Sequence, residues 1–294
     1  MKEKINQLKE TAAQADALLI GAGAGLSTAA GFVYSGERFE KYFGDFGRKY
    51  GFRDMYSGGF YPYKTPQEFW AYWSRYIWIN RYADIPGRVY RDLYSLAKDK
   101  DYFVLTTNVD HCFQKAGFEK ARLFYTQGDY GLFQCSKPCC QKTWDNQEAV
   151  RRMVLSQGFE IGPGNELILP EGTSALMRVP DDLLPKCPNC GRPLTMNLRS
   201  DDTFVEDEGW QRAAAAYNAW TEAHRDQKVL YLEIGVGYNT PGIIKYNFWQ
   251  QVYQNGQAFY ACLNMEECPV PKEIKDRAFM LSGDSARIIQ DLVT

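Results

Sequence analysis

The chain has 294 residues, 45% of them hydrophobic and 24% charged, a globular balance that excludes a disordered polypeptide. Lys plus Arg number 34 against 36 Asp plus Glu, and the net charge of −2 gives no electrostatic case for nucleic acid or an anionic membrane surface. No apolar run reaches the roughly 18 residues of a membrane span, and the charged opening MKEKINQLKE lacks the apolar core of a secretory signal, so a cytoplasmic protein is expected.

A helical pattern over 2–15 leads into an apolar run at 16–21 (DALLIG), read as the first strand. It runs directly into Gly21-Ala22-Gly23-Ala24-Gly25-Leu26-Ser27. Residues this small let the backbone approach a pyrophosphate, and the N–H groups opening the next helix would face the anion. The position behind a first strand is the context such a turn requires, although a tight turn alone has the same composition. The acidic residue that a dehydrogenase carries after its second strand has no counterpart here, which argues against hydride transfer.

The segment 39–82 holds 17 of the 44 aromatic residues, with Phe69, Trp70, Trp73 and Tyr76 at helical spacing within 67–82. It reads as a small helical module on its own aromatic core, some of whose rings could also line an apolar cleft. A helix over 87–98 precedes a strand at 102–107 (YFVLTT), which closes in Thr106-Thr107-Asn108-Val109-Asp110-His111. The next strand, 122–126 (RLFYT), closes in Gln127-Gly128. Polar residues at the carboxyl ends of adjacent parallel strands lie where ligands bind. Asn108 can donate and accept at once, which suits a ribose hydroxyl or a water. The bland alternatives are a helix cap for Asp110 and a surface turn for Gln127. His111 and His224 are the two histidines, so a histidine base has only those candidates.

The segment 134–199 is weakly periodic and carries five of the eight cysteines. Cys135 is followed by Cys139 and Cys140 (CSKPCC), and Cys187 by Cys190 (CPNC). Two short-spaced pairs match a closed, tetrahedral, four-thiolate zinc site. Cys135 can pair with Cys139 or Cys140, and Cys139 is favoured. With no ligand position open, one zinc per chain would stabilise the module rather than carry chemistry. Helices over 210–225 and 285–293 and strands at 229–234, 259–263 and 277–281 complete the chain. Strands alternating with helices imply an α/β, Rossmann-like, doubly wound parallel sheet.

The motifs taken together resemble the sirtuins: GAGLS at Gly23–Ser27, TTNVD at Thr106–Asp110, Gln127-Gly128, the cysteine pairs, a glycine turn at Gly235–Gly237, Leu263-Asn264, and SGDSA at 282–286. The match follows the family's order along nearly the whole chain. The resemblance implies a Rossmann-like NAD-binding domain from 1–38, 83–133 and 200–294, a helical module at 39–82 and a zinc-binding module at 134–199. It implies that NAD is the co-substrate and that its nicotinamide–ribose bond is broken. Gly23, Ala24, Gly25 and Ser27 would then hold the pyrophosphate. Gly235, Gly237, Asn264, Asp284 and Ser285 would hold the adenosine half. Asn108, Asp110 and Gln127 would be the catalytic set.

Departures from the family pattern bear on the activity. Deacylases carry a histidine where this chain has Gln127, and a glutamine cannot accept a proton near neutral pH. GIPDFR is replaced by Gly31-Phe32-Val33-Tyr34-Ser35-Gly36, the VVxFGE groove segment by MNLRSDDTF, and the GTS turn by Gly235-Val236-Gly237. Forty-six residues separate Cys140 from Cys187. With glutamine in place of that histidine and the aromatic stretch SGERFEKYFGDF at 35–46, the chain is similar to the macrodomain-linked (class M) microbial sirtuins. That likeness implies a protein mono-ADP-ribosyltransferase acting on a lipoylated carrier protein like the glycine-cleavage H protein. It also implies a macrodomain ADP-ribosyl hydrolase that reverses the modification, in an operon tied to oxidative stress. The alternatives are a lysine deacylase with a substitute base and a catalytically weak NAD sensor.

Overall fold

The computed structural model describes residues 2–238 and 241–294. The strands, in chain order, are β1 (Ala17–Ala22), β2 (Asp101–Thr106), β3 (Leu123–Tyr125), β4 (Gly128–Cys135), β5 (Thr143–Asp145), β6 (Glu160–Ile161), β7 (Leu167–Ile168), β8 (Leu194–Leu198), β9 (Val229–Ile234), β10 (Phe259–Asn264) and β11 (Ala278–Ser282). The chain divides into two compact units.

The first unit comprises Met1–Gly31, Ile85–Gln127 and Glu208–Thr294. Its sheet is parallel throughout, in the order β11-β10-β9-β1-β2-β3. The first strand is central, the next two step to one side and the last three to the other. This is the doubly wound order expected, and its reversal between β1 and β9 is the switch point beyond which such sheets bind ligands. Both strands are buried at every position, as parallel strands covered on two faces must be. On one face, Leu19, Phe103 and Tyr231 pack under Tyr217 of the Glu208–Ala223 helix and under Phe248 and Val252 of the Lys245–Gln254 helix.

An ion pair lies wholly inside this unit. Lys245 Nζ donates to Glu233 Oε1, and both side chains are fully buried. Tyr260 donates its hydroxyl to Glu233 Oε2 at 2.7 Å, and the Cys262 thiol lies 3.5 Å from Oε1. Such a pair is tolerated because each charge finds its partner and the spare lone pairs are used.

The second unit comprises Phe32–Asp84 and Gly128–Asp207. It contains the antiparallel sheet β5-β4-β8, the β6–β7 pair and the helices Glu37–Tyr50, Met55–Gly59, Pro66–Ile77 and Gln147–Ser156. Thr65 caps the Pro66–Ile77 helix by accepting the Glu68 N–H at 3.3 Å, and Pro66 takes the first position, where its missing N–H costs nothing. That helix continues into a π-helical turn, Trp78–Tyr82. Trp70, Trp73 and Tyr76 are buried, and Phe69 is half-buried.

Trp70 meets Phe133 edge-on at 5.2 Å, and Tyr76 meets Tyr130 at 5.5 Å. The aromatic helices and the cysteine-bearing sheet therefore share one core. Sequence reading treats 39–82 and 134–199 as separate modules. The structure gathers them into one unit, because the rings of the helix complete their burial against β4. Arg75, fully buried, ties the unit together. It donates to Asp45 at 2.9 Å, to Gln157 at 2.7 Å and to the carbonyls of Tyr42 and Leu176. No helix among the described residues is long and apolar enough to cross a membrane.

Candidate functional site

The glycine turn after β1 and the turn after β9 meet at the switch point. Gly23 donates its N–H to Ile234 O at 3.0 Å, and Gly25 donates to Gly235 O at 2.9 Å. A Cβ on Gly25 would stand 2.6 Å from Gly235 Cα, and one on Gly235 would stand 2.5 Å from the Leu26 nitrogen. Gly235 also holds φ +61°. These glycines are small so that two turns can interlock. The expected backbone cradle changes accordingly, because the Gly23 and Gly25 N–H groups are already spent. The N–H of Ala24, first residue of the Ala24–Ala29 helix, has no hydrogen-bond partner among the described residues and is the donor left open. Gly237 is exposed, and a Cβ there would meet nothing within 4 Å.

The ends of the outer strands brace the second turn. Gly235 donates to Leu263 O at 2.9 Å. Asn264 Nδ2 donates to Val236 O at 3.0 Å, its Oδ1 accepts from Met265 at 2.8 Å, and its carbonyl accepts from Gly283 at 2.8 Å. Asp284 caps the Ser285–Val293 helix by accepting the Ala286 N–H at 2.9 Å, and Ser285 is buried in the first turn. Of the residues expected at the adenosine half, Gly235 and Asn264 belong to one hydrogen-bonded turn. The Asp284 carboxylate is engaged as a cap.

Beyond β2 the backbone is pinned to β1. Thr106 Oγ1 donates to Ala22 O at 2.8 Å and accepts the Asn108 N–H at 3.0 Å. Asn108 is thereby held beneath the glycine turn, with Nδ2 donating to Gly23 O at 3.0 Å and reaching the Tyr90 hydroxyl at 3.4 Å. A carbonyl can only accept, so the amide nitrogen faces Gly23 and Asn108 Oδ1 is free of partners among the described residues. The Tyr90 hydroxyl lies 3.0 Å from Ser27 Oγ, and Ser27 donates to Asp110 Oδ2 at 2.5 Å. Asp110 Oδ1 accepts the Cys112 N–H at 3.0 Å. The four side chains are buried. Burial first, and then the Asp110 charge, hold the Tyr90 phenol well above its ordinary pKa, so it stays protonated.

Ser27 and Asp110, expected at the pyrophosphate and in the catalytic set, are hydrogen-bonded to each other. Asp110 has both oxygens engaged, one of them at the start of the Cys112–Lys115 helix. Gln127 follows β3, half-buried, and makes no side-chain hydrogen bond among the described residues. His111 adopts φ +58° at the opening of the Cys112–Lys115 helix and stacks its ring on Tyr125 at 4.2 Å. Tyr90 has no signal in the sequence, because a tyrosine on the apolar face of an amphipathic helix reads as core.

In the second unit, the ligand sulfurs of Cys135, Cys139, Cys187 and Cys190 all lie within 4.8 Å of one another. Cys135 and Cys190 are 3.6 Å apart, and Cys139 and Cys187 are 3.7 Å apart. Zinc–sulfur bonds of about 2.3 Å in a tetrahedron place sulfurs about 3.8 Å apart, so the cluster fits that ion. Cys140 is outside it, which decides between the two candidate partners of Cys135. Asn189 Nδ2 lies 3.2 Å from Cys139 Sγ and is the main cause that lowers this thiol to about 6, favouring the thiolate a metal needs.

No protein-family model matches the chain. A protein ADP-ribosyltransferase of Staphylococcus aureus is 38% identical over 294 residues, covering 98% of this chain and 88% of that one. Among solved structures, a complex of a Sir2 homologue with ADP-ribose covers 98% of this chain and 94% of its own at TM-score 0.59 and 15% identity. A Sir2 homologue bound to NAD covers 98% and 92% at TM-score 0.56 and 16% identity.

The chain belongs to the sirtuin family. Its likeness to the solved Sir2 structures is one of fold, and its identity to the staphylococcal enzyme places this sirtuin among the ADP-ribosyltransferases. A probable bifunctional ADP-ribose hydrolase/ADP-ribosyltransferase of Fusarium oxysporum is 30% identical over 96% of this sirtuin, which spans about half of that protein, 46%. The paired glycine turns, with Asn108 below them and Gln127 at the next strand end, are the candidate site of this sirtuin.

Proposed function

We propose that the protein is an NAD-dependent protein mono-ADP-ribosyltransferase of the cytoplasm. The observation that carries this reading is Gln127. A side chain that cannot accept a proton stands at the strand end where a deacylase needs a base, while the Asn108 carbonyl oxygen is left open beside the glycine turns. The reaction then needs little more than positioning. The glycosidic electron pair leaves with nicotinamide and neutralises its ring nitrogen. The sugar gains positive charge, and a lone pair of the protein acceptor forms the new bond at the anomeric carbon. The acceptor's proton passes to water. Asn108 Oδ1 offers the developing charge a fixed dipole, and Gln127 holds a ribose hydroxyl or the acceptor by hydrogen bonds. The open Ala24 N–H serves the pyrophosphate, and the turn of Gly235 and Asn264 shapes the adenosine end.

Zinc is the structural ion of the four-thiolate cluster, supported by the sulfur spacings. The acceptor is a lipoylated carrier protein like the glycine-cleavage H protein, and a macrodomain hydrolase reverses the modification. The name of the Fusarium relative, which joins a hydrolase to a transferase, supports the second partner. One incubation with NAD tests the reading by intact mass of two substrates, a lipoylated H-like carrier and an acetyl-lysine peptide. A gain of one ADP-ribose on the carrier with the peptide unchanged is expected. Loss of acetyl from the peptide would instead mean a deacylase with a substitute base.

A further inference from the structure

The hydrogen bonds behind Asn108 have a fixed direction. Asn108 Nδ2 can only donate, because it is an amide nitrogen, and at the other end Asp110 Oδ2 accepts from Ser27 Oγ. Between them stand two hydroxyls, Tyr90 and Ser27, each in contact with the next. The one consistent arrangement is that Asn108 donates to Tyr90, Tyr90 donates to Ser27, and Ser27 donates to Asp110. Every proton in the chain leans toward the carboxylate. Hydrogen bonds aligned in this way polarise one another, and burial removes the water that would screen them.

We infer that Tyr90 is a positioning residue, through which the charge of Asp110 is delivered to the open carbonyl oxygen of Asn108. Donation from Nδ2 pushes amide electron density onto Oδ1, so a pull exerted by Asp110 makes Oδ1 more negative. On the transferase reading, that oxygen lies beside the sugar on which positive charge builds, and the gain is larger in the transition state than in bound NAD. Asp110 therefore acts without touching the sugar, and the inference rests on the transferase reading above. The phenol suits the task. It is fully buried, kept protonated, and held edge-on against Phe113 at 5.0 Å, so its hydroxyl has little freedom to turn away.

The test is Tyr90→Phe, which removes one oxygen and keeps the ring. Nicotinamide release and NAD affinity are measured on the full chain, alongside solvent exchange of the Asn108 side-chain amide protons, which needs no turnover. The expected result is a fall in kcat of about ten- to a hundredfold, the scale on which an orienting group behind a reactive one acts. NAD affinity stays within about twofold, and amide exchange accelerates, as follows when a buried hydrogen bond is lost. Ser27→Ala breaks the same chain, so the double variant should be no slower than the worse single one. Loss of NAD affinity equal to the loss of rate, additive effects, or unchanged amide exchange would each overturn the relay. If the wild type turns over and Tyr90→Phe keeps pace with it, the relay alone falls. If the wild type releases no nicotinamide in the presence of carrier, the transferase reading falls and the catalytic role of the relay falls with it.

Discussion

Gly25 and Gly235 are locked together: the N–H of one donates to the carbonyl of the other at 2.9 Å, and neither has room for a methyl group. The neighbours a Cβ would strike are backbone atoms, which cannot swing aside. Gly235→Ala adds a positive-φ penalty and should destabilise the fold by well over 1 kcal/mol. Gly237→Ala should cost less than about 0.5 kcal/mol, as an exposed substitution away from special features does. Urea unfolding of the two variants checks the pair. Equal stabilities would mean the turns are not interlocked in solution.

Gln127 faces no partner that would need it for folding. Gln127→Ala is expected to keep the wild-type unfolding midpoint and to lose about a hundredfold in transferase rate, the scale of a lost transition-state hydrogen bond. Gln127→His supplies a titratable base, and some deacylation of an acetyl-lysine peptide is expected from it. Wild-type transfer rates in Gln127→Ala would remove this residue from the mechanism.

The cysteine cluster separates two neighbours in sequence. Cys139→Ser should abolish binding of about one zinc per chain and loosen the β5-β4-β8 sheet, whereas Cys140→Ser should leave both intact. Metal analysis and limited proteolysis of the two proteins distinguish them. Zinc retained by Cys139→Ser and lost from Cys140→Ser would reverse the assignment.

The buried pair of Lys245 and Glu233 predicts a pH dependence. Burial works against the lysine's charge, but Glu233 outweighs it, and the pKa of Lys245 is raised. A raised folded value means that its contribution is complete below the unfolded lysine pKa of about 10.4 and is lost as pH rises through the higher folded value. Wild-type stability should therefore fall in that alkaline range. Lys245→Met leaves Glu233 without a counter-ion in the interior and should cost about 3–5 kcal/mol at neutral pH, while Lys245→Met with Glu233→Gln should recover most of it. Denaturant midpoints at neutral and alkaline pH measure both effects. A double variant no more stable than the single one would argue against an unpaired charge as the cause.

The strands of the parallel sheet were legible almost to the residue, since short β-branched and aromatic runs with turn signals behind them admit few other readings. Val229–Ile234 and Ser285–Val293 need no adjustment. The helices Gln147–Ser156 and Lys245–Gln254 were not legible. Neither has a side-chain cap at its start, and the second interleaves polar residues with its buried positions. The cysteines could be read because metal geometry is written in short spacings. The relay through Tyr90 could not, because its successive links span 18, 63 and 83 residues and only the fold brings them into contact. The glycine turn stands where its composition places it, behind β1, and its glycines interlock with the turn after β9. Small residues after a strand also serve backbone against backbone, and sequence does not distinguish that from backbone against ligand.

The two units are nested along the chain. β1 enters the parallel sheet at residue 17, yet its partner β9 is not made until residue 229, after the last segment of the second unit ends at Asp207. During synthesis the cysteine-bearing unit is complete while the central strand of the larger sheet still has an open edge. Ribosome-bound chains would thus spend a defined interval holding a finished inner body and an apolar strand with one edge unpaired, the state that pairs wrongly or calls for a chaperone. Zinc supply would act at that early stage, well before a site able to cleave NAD can exist.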